Sequence, residues 1–80
     1  MLHMLHQFVV LSEIGNFTKA SEILHISQPG LTKNIKKLED TFGGTLVVRS
    51  NTGCSLTDIG RLVYKHAKNM EYEMSLLETE

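Results

Sequence analysis

A mainly α domain, with three helices, a small β-hairpin and a long closing helix, is predicted by three features of the sequence. Apolar residues recur at intervals of three and four in four separate stretches, the period of a helix with one buried face. Glycines or capping hydroxyls stand at the edges of those stretches. The one β-branched run, Thr45-Leu46-Val47-Val48-Arg49, lies between the third stretch and the fourth. Eighty residues suffice for a single domain.

The first helix spans Leu2 to Ile14 and turns Leu2, Leu5, Phe8, Val9 and Leu11 inward, until Gly15-Asn16 ends it. Thr18 is a candidate N-cap for a short second helix that runs to about His25 and buries Ala20, Ile23 and Leu24. A tight turn covers His25 to Gln28. Ser27 caps the third helix, and Pro29 sits in its first turn, where a missing N–H costs nothing. Leu31, Ile35, Leu38 and Phe42 form its core stripe. Gly43-Gly44 closes that helix; Thr45–Arg49 is a strand, Ser50-Asn51-Thr52-Gly53 its turn and Cys54-Ser55-Leu56 a short return strand. Thr57 opens a last helix that runs to the C-terminus, with Asp58 favourably near its positive end.

Composition excludes several classes. Hydrophobic residues at 41% and charged residues at 21% match a folded globular chain, not a disordered tail or a membrane protein. The single cysteine, Cys54, forms neither an internal disulfide nor a cysteine metal cage, which points to a reducing, cytoplasmic setting. The N-terminus lacks the basic region of a signal peptide, and Phe8-Val9-Val10-Leu11 is far too short to span a bilayer. No Ser-His-Asp order, paired-carboxylate site or Gly-rich phosphate loop is present, so neither an enzyme nor a cofactor is expected. His3 and His6 are one helical turn apart but have no carboxylate or Cys near them in sequence, so no metal is expected either. Cys54 reads as structural.

Two short helices joined by a tight turn and followed by a hairpin make the plan of a winged helix-turn-helix, whose second motif helix enters the DNA major groove. At ~100° per residue, Leu31, Ile35, Leu38 and Phe42 cluster on one side of the third helix, and Pro29, Thr32, Lys33, Lys36 and Lys37 lie opposite. Ser27 and Gln28 lead that face at the positive end of the helix dipole. Gln can bind adenine through N6 and N7, and Thr can meet a thymine methyl or a phosphate. A lysine-rich face is more often a merely solvated one. Gly30 argues further, because glycine inside a helix costs about 0.8–1 kcal/mol relative to Ala: it implies close backbone approach, or else packing against the preceding helix.

The run Gly15-Asn16-Phe17-Thr18-Lys19-Ala20-Ser21, then Leu24, Ile26-Ser27-Gln28-Pro29-Gly30-Leu31-Thr32-Lys33, Ile35 and Leu38-Glu39, resembles the N-terminal DNA-binding domain of LysR-type transcriptional regulators. Phe42-Gly43, Leu46, Arg49 and Leu56-Thr57-Asp58-Ile59-Gly60 continue the match in register over nearly the whole chain. The resemblance implies a winged helix-turn-helix over residues 1–57 and a linker helix over 58–80, in one folding unit. It implies bacterial regulators that bind double-stranded promoter DNA as dimers or tetramers. Ser27, Gln28, Pro29, Gly30, Thr32 and Lys33 would then face the groove. Thr18, Lys19, Lys36, Lys37, Arg49, Ser50, Asn51 and Thr52 would hold phosphate. Arg is common in the family at the position of Lys33, and basic residues are common in the wing turn, where this chain has Asn51 and Thr52. That turn therefore offers hydroxyl and amide donors to phosphate rather than an Arg to the minor groove. Val47-Val48 replaces a more usual Phe or Leu followed by Glu, and Gly44 stands where a branched residue is common. Family members continue into a larger domain that binds a small-molecule effector, so an effector is expected only through such a domain.

Along the last helix, Ile59, Val63, His66, Met70, Met74 and Leu77 recur at helical spacing with Ala67 beside them. An apolar seam of this length marks a partner, unless it folds back on the first helix. The resemblance implies that such helices pair between two copies, presenting two reading helices to the halves of a pseudo-palindrome. The alternative function is an interaction module that pairs through this helix and binds little DNA. A formal charge of −1 argues on its face against a polyanion partner. Four of the nine acids, however, fall in the last ten residues, and residues 1–70 carry eight Lys and Arg against five acids, a net +3.

Overall fold

A computed structural model describes all eighty residues, Met1–Glu80. The element order is α1 (Leu2–Ile14), α2 (Phe17–Leu24), α3 (Gln28–Phe42), β1 (Val47–Ser50), β2 (Gly53–Leu56) and α4 (Asp58–Thr79). This is the expected mainly helical winged helix-turn-helix with a long closing helix. No helix is long and apolar enough to cross a membrane.

The core lies along α1. Phe8 and Leu11 are fully buried there, flanked by Leu5 and Val9, and Ala20 of α2, Leu31, Ile35 and Leu38 of α3, and Ala67 of α4 close around them. Helix α4 runs back along α1 in the opposite sense. Its Tyr64 hydroxyl donates to Glu13 Oε2 at 2.7 Å, its Lys68 Nζ lies 3.3 Å from the same oxygen, and Glu71 Oε2 lies 2.7 Å from His6 Nδ1. Across the core, Asn34 of α3 donates to Gln7 of α1 at 2.8 Å, which satisfies the amide of a buried glutamine.

Each helix end has a local cause. Gly15 and Gly43 end α1 and α3 with φ of 72° and 74°, and their N–H groups return to Leu11 and Glu39. Helix α2 is capped two residues before the expected position: Asn16, in extended backbone, accepts the Lys19 N–H at 2.9 Å, and Thr18 is left inside the first turn. The buried face of α2 is accordingly Phe17, Ala20 and Ser21 with Leu24 half-buried, and Ile23 turns to solvent. His25, a non-glycine residue at φ 58°, closes α2 by sending its N–H to Glu22.

The wing is shorter at its start than the β-branched run predicts. Thr45 and Leu46 stand outside the strand, because their backbone groups are taken elsewhere. Leu46 N–H donates to Glu39 Oε2 at 2.8 Å, Leu46 C=O accepts from Thr57 N–H at 3.0 Å, and Thr45 C=O accepts from the Thr57 hydroxyl at 2.5 Å. Pairing therefore begins at Val47↔Leu56 and runs to Ser50↔Gly53. The hairpin is held to the helices by Cys54 N–H, which donates to the Gly15 carbonyl at 2.9 Å.

Three expected core positions lie outside it. Leu2 precedes the first buried turn, and Phe42 occupies the last turn of α3; they are 57% and 43% exposed. Ile23 is the third. Conversely, Ala67, expected on the partner seam, is buried against α1.

Gly60 marks the closest approach of two elements, because a Cβ there would overlap the Leu46 carbonyl oxygen and crowd the rest of that residue's backbone. Neither side can yield without moving α4 or the wing. Gly60→Ala is expected to destabilise the fold by about 1–3 kcal/mol, read as a lower urea midpoint. A second expectation concerns pH. The Tyr64 hydrogen bond, with Lys68 adding to it, holds the Glu13 carboxyl below its ordinary range. A carboxyl depressed in the folded state stabilises fully above its unfolded pKa, and loses that contribution as pH falls through the folded value. The difference in urea midpoint between the wild type and Glu13→Gln should therefore shrink between about pH 5 and about pH 3.

Candidate nucleic-acid interface

The exposed face of α3 starts from its cap. Ser27 Oγ accepts the Gly30 N–H at 3.0 Å, and Pro29 needs no partner in the first turn. A Cβ on Gly30 would sit 2.9 Å from Ser27 Oγ. The glycine thus leaves room for the capping hydroxyl itself, and it is this hydroxyl, not the preceding helix, that crowds the position. With Leu31, Ile35 and Leu38 turned into the core, Gln28, Pro29, Thr32, Lys33, Lys36 and Lys37 are all exposed together on the opposite side.

Two side chains of that face are held from outside α3. Gln28 Nε2 donates to Thr18 Oγ1 at 2.6 Å, which joins the first turns of α2 and α3. Thr32 Oγ1 accepts from Arg49 Nη2 at 2.6 Å, and the same guanidinium stacks 3.6 Å above the centroid of the Phe17 ring. Arg49 therefore turns back from β1 across α2 and α3, not outward toward the wing tip. The tip itself, Ser50, Asn51 and Thr52, is exposed, with Ser50 Oγ 3.3 Å from Thr52 Oγ1. Phe17 was missed as a participant by sequence reasoning. Its one signal is position, directly after the true cap Asn16, which puts it on the inner side of the first turn.

The electrostatics divide the molecule. Arg61 pairs with Asp58, and Lys68 with Glu13. Lys19, Lys33, Lys36, Lys37 and Arg49 have no carboxylate within ion-pair distance. Burial pushes the Cys54 thiol up, against the opposing charge of Arg49. His6 meets the Glu71 carboxylate, but no group of three His, Cys, Asp or Glu that could hold a metal comes together in the structure.

This arrangement can be set beside known proteins. Residues 2–61 match the family described as bacterial regulatory helix-turn-helix protein, lysR family. The chain belongs to that family. Among curated relatives of the lysR-type chain, the HTH-type transcriptional regulator CatR of Pseudomonas putida is 47% identical over 66 residues, covering 82% of this chain and 22% of that protein. The nitrogen assimilation regulatory protein nac of Escherichia coli (strain K12) is 39% identical over 64 residues, covering 80% and 21%. The chain spans about a fifth of the length of these relatives. Among solved structures, the BenM_DBD/catB site 1 DNA complex superposes with a TM-score of 0.92 at 30% identity, covering 99% of this chain and 88% of that one. The CbnR_DBD–DNA complex gives 0.91 at 29% identity, covering 99% and 91%.

In this lysR-family chain the α4 seam is divided by depth. Ile59, His66, Met70, Met74 and Leu77 are exposed, Val63 is half-buried, and Ala67 is buried beneath them. Leu2 of α1 joins Met70 and Met74 along a shallow apolar groove.

The cap geometry gives a test. Ser27→Ala is expected to cost about 0.5–2 kcal/mol of stability, and Gly30→Ala to destabilise by displacing the same hydroxyl. In the Ser27→Ala background, Gly30→Ala should become neutral or stabilising, since Ala is the better helix former. Urea melts of the two single variants and the double variant give the coupling directly.

Proposed function

We propose that this chain is the DNA-binding head of a lysR-type transcriptional regulator, reading double-stranded promoter DNA with α3 in the major groove. The observation that carries this reading is the exposed α3 face. Gln28 and Thr32 are held in place one turn apart, and lysines without acid partners surround them. In this reading Ser27, Gln28, Pro29, Gly30, Thr32 and Lys33 line the groove. Thr18, Lys19, Lys36, Lys37, Arg49, Ser50, Asn51 and Thr52 meet phosphate, the wing turn with hydroxyl and amide donors. Support comes from the family match, from relatives named as transcriptional regulators, and from like-folded structures whose titles describe complexes with DNA. The same relatives favour a non-enzymatic role and give no support to an interaction module that ignores DNA.

The working unit in this reading is a homodimer paired through the outer face of α4, with Ile59, Val63, His66, Met70, Met74 and Leu77 at the seam. Exposure of Met70, Met74 and Leu77 at 40%, 48% and 68% supports it, because a single copy leaves that stripe uncovered. Ala67, already buried within one copy, contributes by shaping α4 against α1 instead of by contact with a second copy. Two Met at the seam suit an adaptable surface.

On its preferred duplex, Gln28→Ala should lose about 1–3 kcal/mol of binding and leave binding to random DNA unchanged. Lys36→Ala should weaken all sequences alike and flatten the dependence of log K on log salt by about one unit. Titrations of both duplexes at several salt concentrations separate the two; equal losses for Gln28→Ala on both would remove its base-reading role. For the seam, sedimentation equilibrium of Met74→Glu, Leu77→Glu should show a monomer at concentrations where the wild type is a dimer.

A further inference from the structure

The geometry points to Arg49 as a positioning residue that fixes the polarity of Thr32, so that the Thr32 hydroxyl donates to a hydrogen-bond acceptor on a base edge. This rests on the DNA-binding reading above and adds to it the class of base that the Thr32 position accepts. A guanidinium has donors and no acceptor, so at 2.6 Å from Arg49 Nη2 the Thr32 oxygen must be the acceptor. The hydroxyl proton then has to point elsewhere. In a helix the usual local recipient for a Thr hydroxyl is the carbonyl four residues back, as Thr41 shows by donating to the Lys37 carbonyl at 3.0 Å. Thr32 makes no such bond to Gln28, and its side chain makes no other hydrogen bond than the one to Arg49. Its proton is uncommitted, on an exposed side chain.

Arg49 is itself well placed to hold this arrangement. Its backbone is fixed opposite Cys54 in the hairpin, and its guanidinium rests on the ring of Phe17, which is only 8% exposed. No carboxylate within ion-pair distance competes for it. A cationic donor on the Thr32 oxygen also polarises the hydroxyl and strengthens its own donation. In the major groove the acceptors are guanine N7 and O6, adenine N7 and thymine O4, whereas the amino groups of cytosine and adenine are donors. A donor-only Thr32 accepts guanine, thymine or the N7 edge of adenine at the base it meets and rejects cytosine, which presents only its amine.

Selecting bound sequences from a randomised duplex pool tests this, followed by titration of duplexes that differ only at the selected pair. The wild type should prefer an acceptor-bearing base at one position, and Thr32→Ser should keep that preference. Thr32→Val and Arg49→Met should each reduce the affinity ratio at that pair about three- to tenfold and leave ratios at other pairs unchanged, with no further reduction in the double variant. Because the readout is a ratio between two duplexes, the uniform loss from removing one charge cancels. If Arg49→Met or Thr32→Val weakens both duplexes equally with the ratio intact, the polarity assignment is overturned and DNA binding stands. If the wild type retains no duplex even at about 50 mM salt, the DNA-binding reading falls and takes this inference with it.

Discussion

The other three helices all pack on α1, where Phe8 and Leu11 are fully buried, and the rest of the fold is arranged around that contact. Helices α2 and α3 pack on α1 from one side, α4 runs along it from another, and Cys54 at the start of the return strand bonds to its C-terminal glycine. Only fifteen of eighty residues are buried, so a single side chain is a large share of the core. A fully buried Phe is worth about 3–5 kcal/mol against Ala, while a whole domain is stable by only about 5–15 kcal/mol. The proposed reading face on α3 and the proposed seam on α4 both stand on helices packed against this column, although neither includes it.

A core this small sets which faces meet but not the angle at which they meet, since apolar burial is non-directional. Direction comes from polar ties at the margins. Glu39 at the end of α3 accepts the Leu46 and Val47 N–H groups, and Thr57 at the start of α4 grips the carbonyls of Thr45 and Leu46. Leu46 is thereby held from both sides with its side chain fully buried. Gly60 lets the first turn of α4 close onto that carbonyl. The orientation of α4, and so of a second copy paired on it as proposed, is coupled through one residue to α3, the helix proposed to read DNA.

The sequence made the order of elements legible because punctuation and period agreed: Gly15, Ser27, Pro29, Gly43 and Thr57 each stand at or beside a helix end in the structure. Where two caps competed, it did not decide. Asn16 and Thr18 are both good N-caps, and only the backbone shows that Asn16 is the extended residue. The buried stripe of α2 followed from that choice, so starting the helix late put Ile23 inside when it lies outside. The α3 face was legible because a three-and-four stripe leaves one opposite side. The ties that hold it were not. Gln28 to Thr18 spans ten residues and Arg49 to Thr32 spans seventeen, and no helical or strand period connects such pairs. Ala67 was misread for a related reason: a seam drawn on one helix cannot show that α1 already covers one of its positions.

Charge then follows from placement, not composition. The three ion pairs all engage α4, two of them tying it to α1, and they consume Arg61 and Lys68. The cations on α2, α3 and the wing keep their charge unspent, and the acidic end of α4 carries Glu73, Glu78 and Glu80 away from them. A net of −1 is thus compatible with a reading face of five free cations, Lys19, Lys33, Lys36, Lys37 and Arg49. If all five met phosphate, the salt slope would be about 4–5 per copy, which is modest for a lone head. Two heads held at a fixed separation would add their phosphate contacts and read two half-sites at once. In the proposed complex, the weakness of one reading face and the bareness of the α4 seam are therefore answered by the same second copy.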